Sequence, residues 1–127
     1  MLHTIQNIGG LGVSIVDGTP AWHKDTVASP INVITLDEYC EAFEVVPTFI
    51  KIDVEGAEKL VLQGAAKTIE KHKPFLLYEY QQVNADQYEI VARDTIEMIE
   101  EWGYTWSCPE SLDIWAVHKD WEQIIGV

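Results

Sequence analysis

Positive charge is what this chain has least of. Its 8 lysines and arginines stand against 21 aspartates and glutamates, a formal net charge of −13. A surface that negative repels nucleic acid phosphates and anionic membrane, so neither is expected as a partner. The acidity is not a tail: the part up to Gly64 holds 3 basic and 9 acidic residues, and the part beyond it 5 and 12. It agrees with solubility, with metal ions or with cationic partners. Cysteine is scarce too. Cys40 and Cys108 are too few for a disulfide framework and read as buried thiols. No apolar run approaches the ~18 residues that cross a bilayer. The start, Met1 to Asn7, has neither a basic region nor a long apolar one, so it does not read as a signal peptide. A cytoplasmic protein is the expectation. His3, His23, His72 and His118 are scattered and show no metal-ligand spacing.

What the chain does have is apolar content, 47% over 127 residues, enough for one domain with a core. Residues 1–30 read as loop or edge strand, with Ile5–Ile8 and Val13–Val16 as short strand candidates and residues 21–30 as loop. Gly9, Gly10 and Gly12 lack the Lys-Ser/Thr of a phosphate loop and read as turn or bulge glycines. Trp22, in the polar loop, is a candidate substrate platform, and His3 a rim candidate; the other four tryptophans fall in elements.

The α/β core is expected over residues 31–127. Ile31–Leu36 is a strand, Asp37 an N-cap, and Glu38–Phe43 a short helix. Phe49–Val54 is a buried strand that runs directly into a helix over Glu58–Gln63, with Gly64 suited to its C-terminal end. Helix resumes over Ala65–His72 and stops before Pro74. Phe75–Tyr80 is a second buried strand. Asn84 or Asp86 caps a long helix to Trp102 with the face Tyr88, Val91, Thr95, Ile99, Trp102, ended by Gly103. Tyr104–Ser107 and Ile114–His118 form a hairpin, and Asp120 caps a last turn to Ile125. Strand–helix–strand order predicts a mostly parallel sheet covered on both faces, with an antiparallel hairpin at one edge.

Parallel strands bring their carboxyl ends to one side, which is where ligands bind in open α/β sheets. Asp53 and Glu79 end the two buried strands and Glu55 overhangs the same rim. Three converging carboxylates resist simultaneous ionisation. One then serves as a general base near neutrality, or a cation such as Mg²⁺ or Ca²⁺ sits between them. Asp53, Glu55 and Glu79 are therefore the candidate catalytic residues and the candidate metal ligands, with Asp53 expected as base or metal ligand and Glu55 and Glu79 as residues that orient an acceptor or share a cation. The alternative is structural, with Asp53 capping the following helix and Glu55 and Glu58 complementing its dipole.

The blocks Thr35-Leu-Asp-Glu-Tyr39, Phe49-Ile-Lys-Ile-Asp-Val-Glu-Gly-Ala-Glu58, Val61-Leu-Gln-Gly-Ala65 and Pro74-Phe-Leu-Leu-Tyr-Glu79, with Gly103-Tyr104, resemble the FkbM family of S-adenosylmethionine (SAM)-dependent methyltransferases. The resemblance implies the second, acceptor-facing half of a Rossmann-like (class I methyltransferase-like) domain, its fourth to seventh strands. The glycine-rich turn that holds SAM in the family has no counterpart here, so residues 1–127 read as a single, truncated domain. The implied activity is O-methyl transfer to a hydroxyl of a small molecule or sugar, with SAM as cofactor. A cut at that point exposes the edge of the strand at residues 49–54. A homodimer, or a partner chain supplying the missing half, is then expected. The alternatives are a non-catalytic remnant or interaction module, and a divalent-metal-binding α/β domain.

Overall fold

In a computed structural model of the chain, the described residues are 2–8, 12–15, 27–109 and 112–121, with side chains described from Asn32 onward. They gather into two compact units, Met1–Ile34 and Thr35–Val127.

The first unit is a three-stranded antiparallel sheet of β1 (Leu2–Ile8), β2 (Gly12–Ile15) and β3 (Val27–Asn32), in the order β2-β1-β3. The two short strands expected from the sequence are here, but the loop and strand expected over residues 21–36 are redrawn. Val27–Pro30 belongs to β3, and Leu36 starts a helix. Pro30 fits because β3 is an edge strand, where a missing N–H costs no ladder bond. Gly9, Gly10 and Trp22 lie outside the described residues.

The second unit begins with α1 (Leu36–Phe43). Its N-cap is Thr35, not Asp37. The Thr35 hydroxyl accepts from Glu38 N–H at 3.1 Å, and Glu38 Oε2 accepts from Thr35 N–H at 2.8 Å, a reciprocal capping box. These bonds hold the Glu38 carboxyl below its usual range. β4 (Phe49–Ile52), α2 (Glu58–Gln63), α3 (Ala66–His72) and β5 (Phe75–Glu79) follow. Gly64 closes α2 at φ −75°, so it does not use the left-handed conformation that would have called for glycine.

The long helix expected up to Trp102 is instead three pieces: α4 (Gln82–Ala85), a 3₁₀ turn (Asp86–Tyr88) and α5 (Arg93–Glu101). Glu89 breaks the run at φ 55°. The Gln82 side chain holds the break, donating to Ile90 O at 2.8 Å and accepting from Ala92 N–H at 2.8 Å. Satisfying those two backbone groups removes the cost of leaving helix. β6 (Tyr104–Ser107) and β7 (Asp113–His118) then form the antiparallel hairpin. The expected last turn survives to Trp121; residues 122–127 lie outside the described residues.

The sheet of this unit has the order β4-β5-β7-β6. It is mixed, not mostly parallel: β4 and β5 run parallel, while β7 is antiparallel to both β5 and β6. Alternation sorts its side chains. Ile52, Leu76, Tyr78, Ile114, Ala116 and Tyr104 form one buried face with Leu62, Ala65, Ile69, Ile96 and Ile99 from the helices. The other face is only partly covered, against the expectation of cover on both sides: Phe49 and Trp115 remain 51% and 47% exposed.

Candidate functional site

Pairing of Ile52 with Tyr78 in the parallel β4–β5 register sets the two carboxyl ends side by side. Asp53 follows Ile52 directly, and Glu79 is the last residue of β5, opposite Asp113 at the start of β7. A shallow cleft of about 90 Å³ lies here, lined by Lys51, Asp53, Leu77, Glu79 and Asp113 among others. Lys51 sits two residues before Asp53, on the same face of the strand, and its Nζ lies 3.0 Å from Asp53 Oδ2. That hydrogen bond raises the Lys51 pKa, and the charges of Asp53 and Asp113 add to it.

Beyond Asp53 the chain turns sharply before α2. Glu55 takes φ 54° and Gly56 φ 105°. A left-handed glutamate is uncommon and strained, and such strain gathers at functional sites. Gly56 is required for a second reason: a Cβ there would lie 2.1 Å from the backbone oxygen of Asn84. Glu58 closes the turn from below. It is 5% exposed, and its Oε1 accepts from Val54 N–H at 3.2 Å and Gly56 N–H at 3.3 Å. Burial pushes its carboxyl up, against the pull of those backbone bonds.

Glu55 and Glu79 meet through Asn84. The Asn84 amide donates to Glu55 Oε2 and to Glu79 Oε2, each at 3.2 Å. Gln81 Nε2 donates to Glu79 Oε1, and Gln87 Nε2 donates to the Glu55 backbone oxygen at 2.6 Å. Burial raises the Glu55 pKa first; the charges of Glu79, Asp53 and Glu58 raise it further.

The three predicted site residues thus share one rim but form two groups, Asp53 with Lys51 and Glu55 with Glu79. Among the described residues no three His, Cys, Asp or Glu side chains stand as ligands around a metal position. In place of a metal ion, a lysine partners Asp53, and the Asn84 amide stands between Glu55 and Glu79. Lys51, Asp113 and the three amides were not singled out from the sequence as site residues. For the amides a signal exists, since Gln81, Asn84 and Gln87 recur every three residues, which on a helical turn gathers them on one side.

An α/β unit with acidic side chains over the carboxyl ends of a parallel strand pair has the layout of a ligand-binding or catalytic domain. The family is specific: the Methyltransferase FkbM domain matches residues 11–105, and the chain belongs to that family. No curated protein and no solved structure matches the chain. Among the described residues no helix is long and apolar enough to cross a membrane.

Membership in a methyltransferase family implies SAM as cofactor. The rim itself does not accommodate it. The rim cleft of about 90 Å³ falls well short of the ~300–1,000 Å³ of cofactor-sized pockets. The one glycine turn that leads from a parallel strand into a helix is filled by Asn84. A groove of about 300 Å³ beside α1 and α3 shares no residue with the rim.

Proposed function

We propose that this chain forms the acceptor side of a Rossmann-like O-methyltransferase domain acting on a hydroxyl of a small molecule or sugar. The observation that carries this reading is the gathering of Asp53, Glu55 and Glu79 at the carboxyl ends of β4 and β5 in a chain of the FkbM family. Glu55 is the base in this reading. Its raised pKa brings a carboxylate toward the working range of a proton acceptor as the acceptor oxygen becomes nucleophilic. Asp53, ion-paired with Lys51, and Glu79, held by two amides, orient the acceptor. A partner chain supplies the cofactor-binding part, or two copies of this chain pair their β4 edges. The position of β4 at the sheet edge and the exposure of Phe49 on it and of Val46 just before it support that association. We also assign the chain to the cytoplasm, since two cysteines are too few for a disulfide framework.

The size of the rim cleft favours a second reading, in which the domain is a non-catalytic interaction module. Calorimetric titration with SAM separates the two, with oligomeric state followed in the same samples by analytical ultracentrifugation. Heat of binding by an associated form supports methyl transfer. Absence of heat at millimolar SAM, with the chain folded and associated, rejects it in favour of the module.

A further inference from the structure

Three amide side chains reach from one short segment onto the two elements that carry the paired glutamates. We propose that Asn84 is a positioning residue that fastens Glu55 and Glu79 into one unit, spending both N–H groups of its side-chain amide on the two carboxylates at 3.2 Å each.

The chemistry of the group is specific. A primary amide offers two donors in a fixed plane, so it spans two acceptors at a set separation. Aspartate has the same shape with no donor, and alanine has neither. The backbone places the amide where it is. The contact of Gly56 with the Asn84 carbonyl leaves no room for a side chain, so the Glu55 turn and α4 approach as closely as peptide groups allow. Gln87 then ties the Glu55 backbone oxygen to the same segment, and Gln81 takes the second oxygen of Glu79. Glu55 therefore holds a left-handed conformation fixed on both its backbone and its side chain.

The unit has a purpose. The charge of Glu79 opposes ionisation of Glu55, and a donor shared between the two carboxylates offsets that repulsion. Asn84 sets how far apart they stand and how strongly Glu55 holds a proton. The groups that bear on Glu55 are Glu79 from β5 and Asp53 and Glu58 from its own turn. The acceptor-side reading supplies what the pair acts upon; the fastening itself stands on the geometry.

The test is a ¹³C NMR titration of the Glu55 side-chain carboxyl in the full chain. Removing the shared donor in Asn84→Ala raises the Glu55 midpoint by about one pH unit. Asn84→Asp, which adds a third carboxylate, raises it further. Asn84→Ser retains one donor and falls between native and alanine. Val83→Ala, at a neighbouring position 74% exposed, leaves the midpoint in place. A Glu55 midpoint unchanged in both Asn84→Ala and Asn84→Asp, with circular dichroism showing both folded, overturns the proposal. If one of the two does not fold, the other decides alone, and Asn84→Ser decides if neither does. The titration uses neither SAM nor acceptor. A chain that binds no SAM therefore counts against the methyltransferase reading and not against Asn84.

Discussion

Asp37 sits in the first turn of α1, yet its carboxylate caps α3: Oδ1 accepts from Thr68 N–H at 2.8 Å and Oδ2 from Lys67 N–H at 3.2 Å. The Asp37 backbone N–H in turn donates to Gly64 O at 2.9 Å. One residue thus satisfies the end of α2 and the start of α3 while belonging to neither.

Asp37→Ala should therefore act on α3. It removes the acceptor for two N–H groups at a helix start that has no side-chain cap of its own, at Ala65. The expected loss is about 1–2 kcal/mol, with Asp37→Asn, which retains one of the two acceptors, falling between native and alanine. Urea unfolding of the three chains measures it. Equal stability of native and alanine chains would show that the capping bonds contribute nothing.

Gly56→Ala meets a positive φ and a backbone atom at 2.1 Å together. Displacing Asn84 is the sole relief, and the expected cost is about 2 kcal/mol or more. The Glu55 carboxyl resonance should shift with it, because its amide donor moves. A thermal midpoint equal to that of the native chain would contradict the close approach.

Two buried tyrosines give opposite expectations. Tyr104 is 2% exposed and its hydroxyl donates to Pro74 O at 2.8 Å, so Tyr104→Phe orphans a carbonyl and costs about 1–3 kcal/mol. Tyr78 is fully buried, and its hydroxyl lies near Thr95, but the Thr95 hydroxyl donates to Ala92 O at 2.7 Å and leaves the Tyr78 hydroxyl without a well-formed hydrogen bond. Removing an unsatisfied hydroxyl relieves a desolvation cost, so Tyr78→Phe should be neutral or stabilising. Denaturant midpoints of the two variants should fall on opposite sides of, or unequally from, the native value; matched losses contradict the assignment.

Glu58 makes stability depend on pH. Its folded pKa lies above the usual 4.5, chiefly through burial. Below 4.5 folded and unfolded chains both carry the proton and no penalty arises. Between the two pKa values the folded chain holds a proton that the unfolded chain has released. Stability therefore falls as pH rises through this window, and the loss is complete above the folded pKa. Glu58→Gln retains an Oε1 to accept from Val54 and Gly56, and it does not titrate. Its stability relative to the native chain should rise from pH 4 to pH 8, read as the difference in urea midpoints. A constant difference would rule out the shift.

Alternation and helical period made the second unit largely legible. The β4–α2, α3–β5 and β6–β7 boundaries fall within two residues of where sequence pattern sets them. What pattern did not carry is side-chain capping over a distance. Asp37 looks like the cap of the helix beside it, but Thr35 and Glu38 take that place and Asp37 serves a helix 30 residues on. The break at Glu89 is hidden for a similar reason: it depends on Gln82 reaching Ile90 and Ala92, and glutamine alone is a good helix former. The acids of the rim were legible because charged residues at the ends of apolar strands stand out. Asn84 was legible only as a helix cap, since its partners lie in two other elements.

The arrangement of strands gives the two fastened glutamates unequal footing. Glu79 ends β5, which is held on both sides by β4 and β7; Glu55 hangs from β4, which among the described residues is bonded on one side only. Local opening proceeds from weakly held elements inward, well below the free energy of global unfolding. Native-state amide exchange should then run faster along Phe49–Ile52 than along Phe75–Glu79. The two carboxylates accordingly sit on different rungs of the opening hierarchy, with the α4 segment as the bridge between a fraying strand and a fixed one.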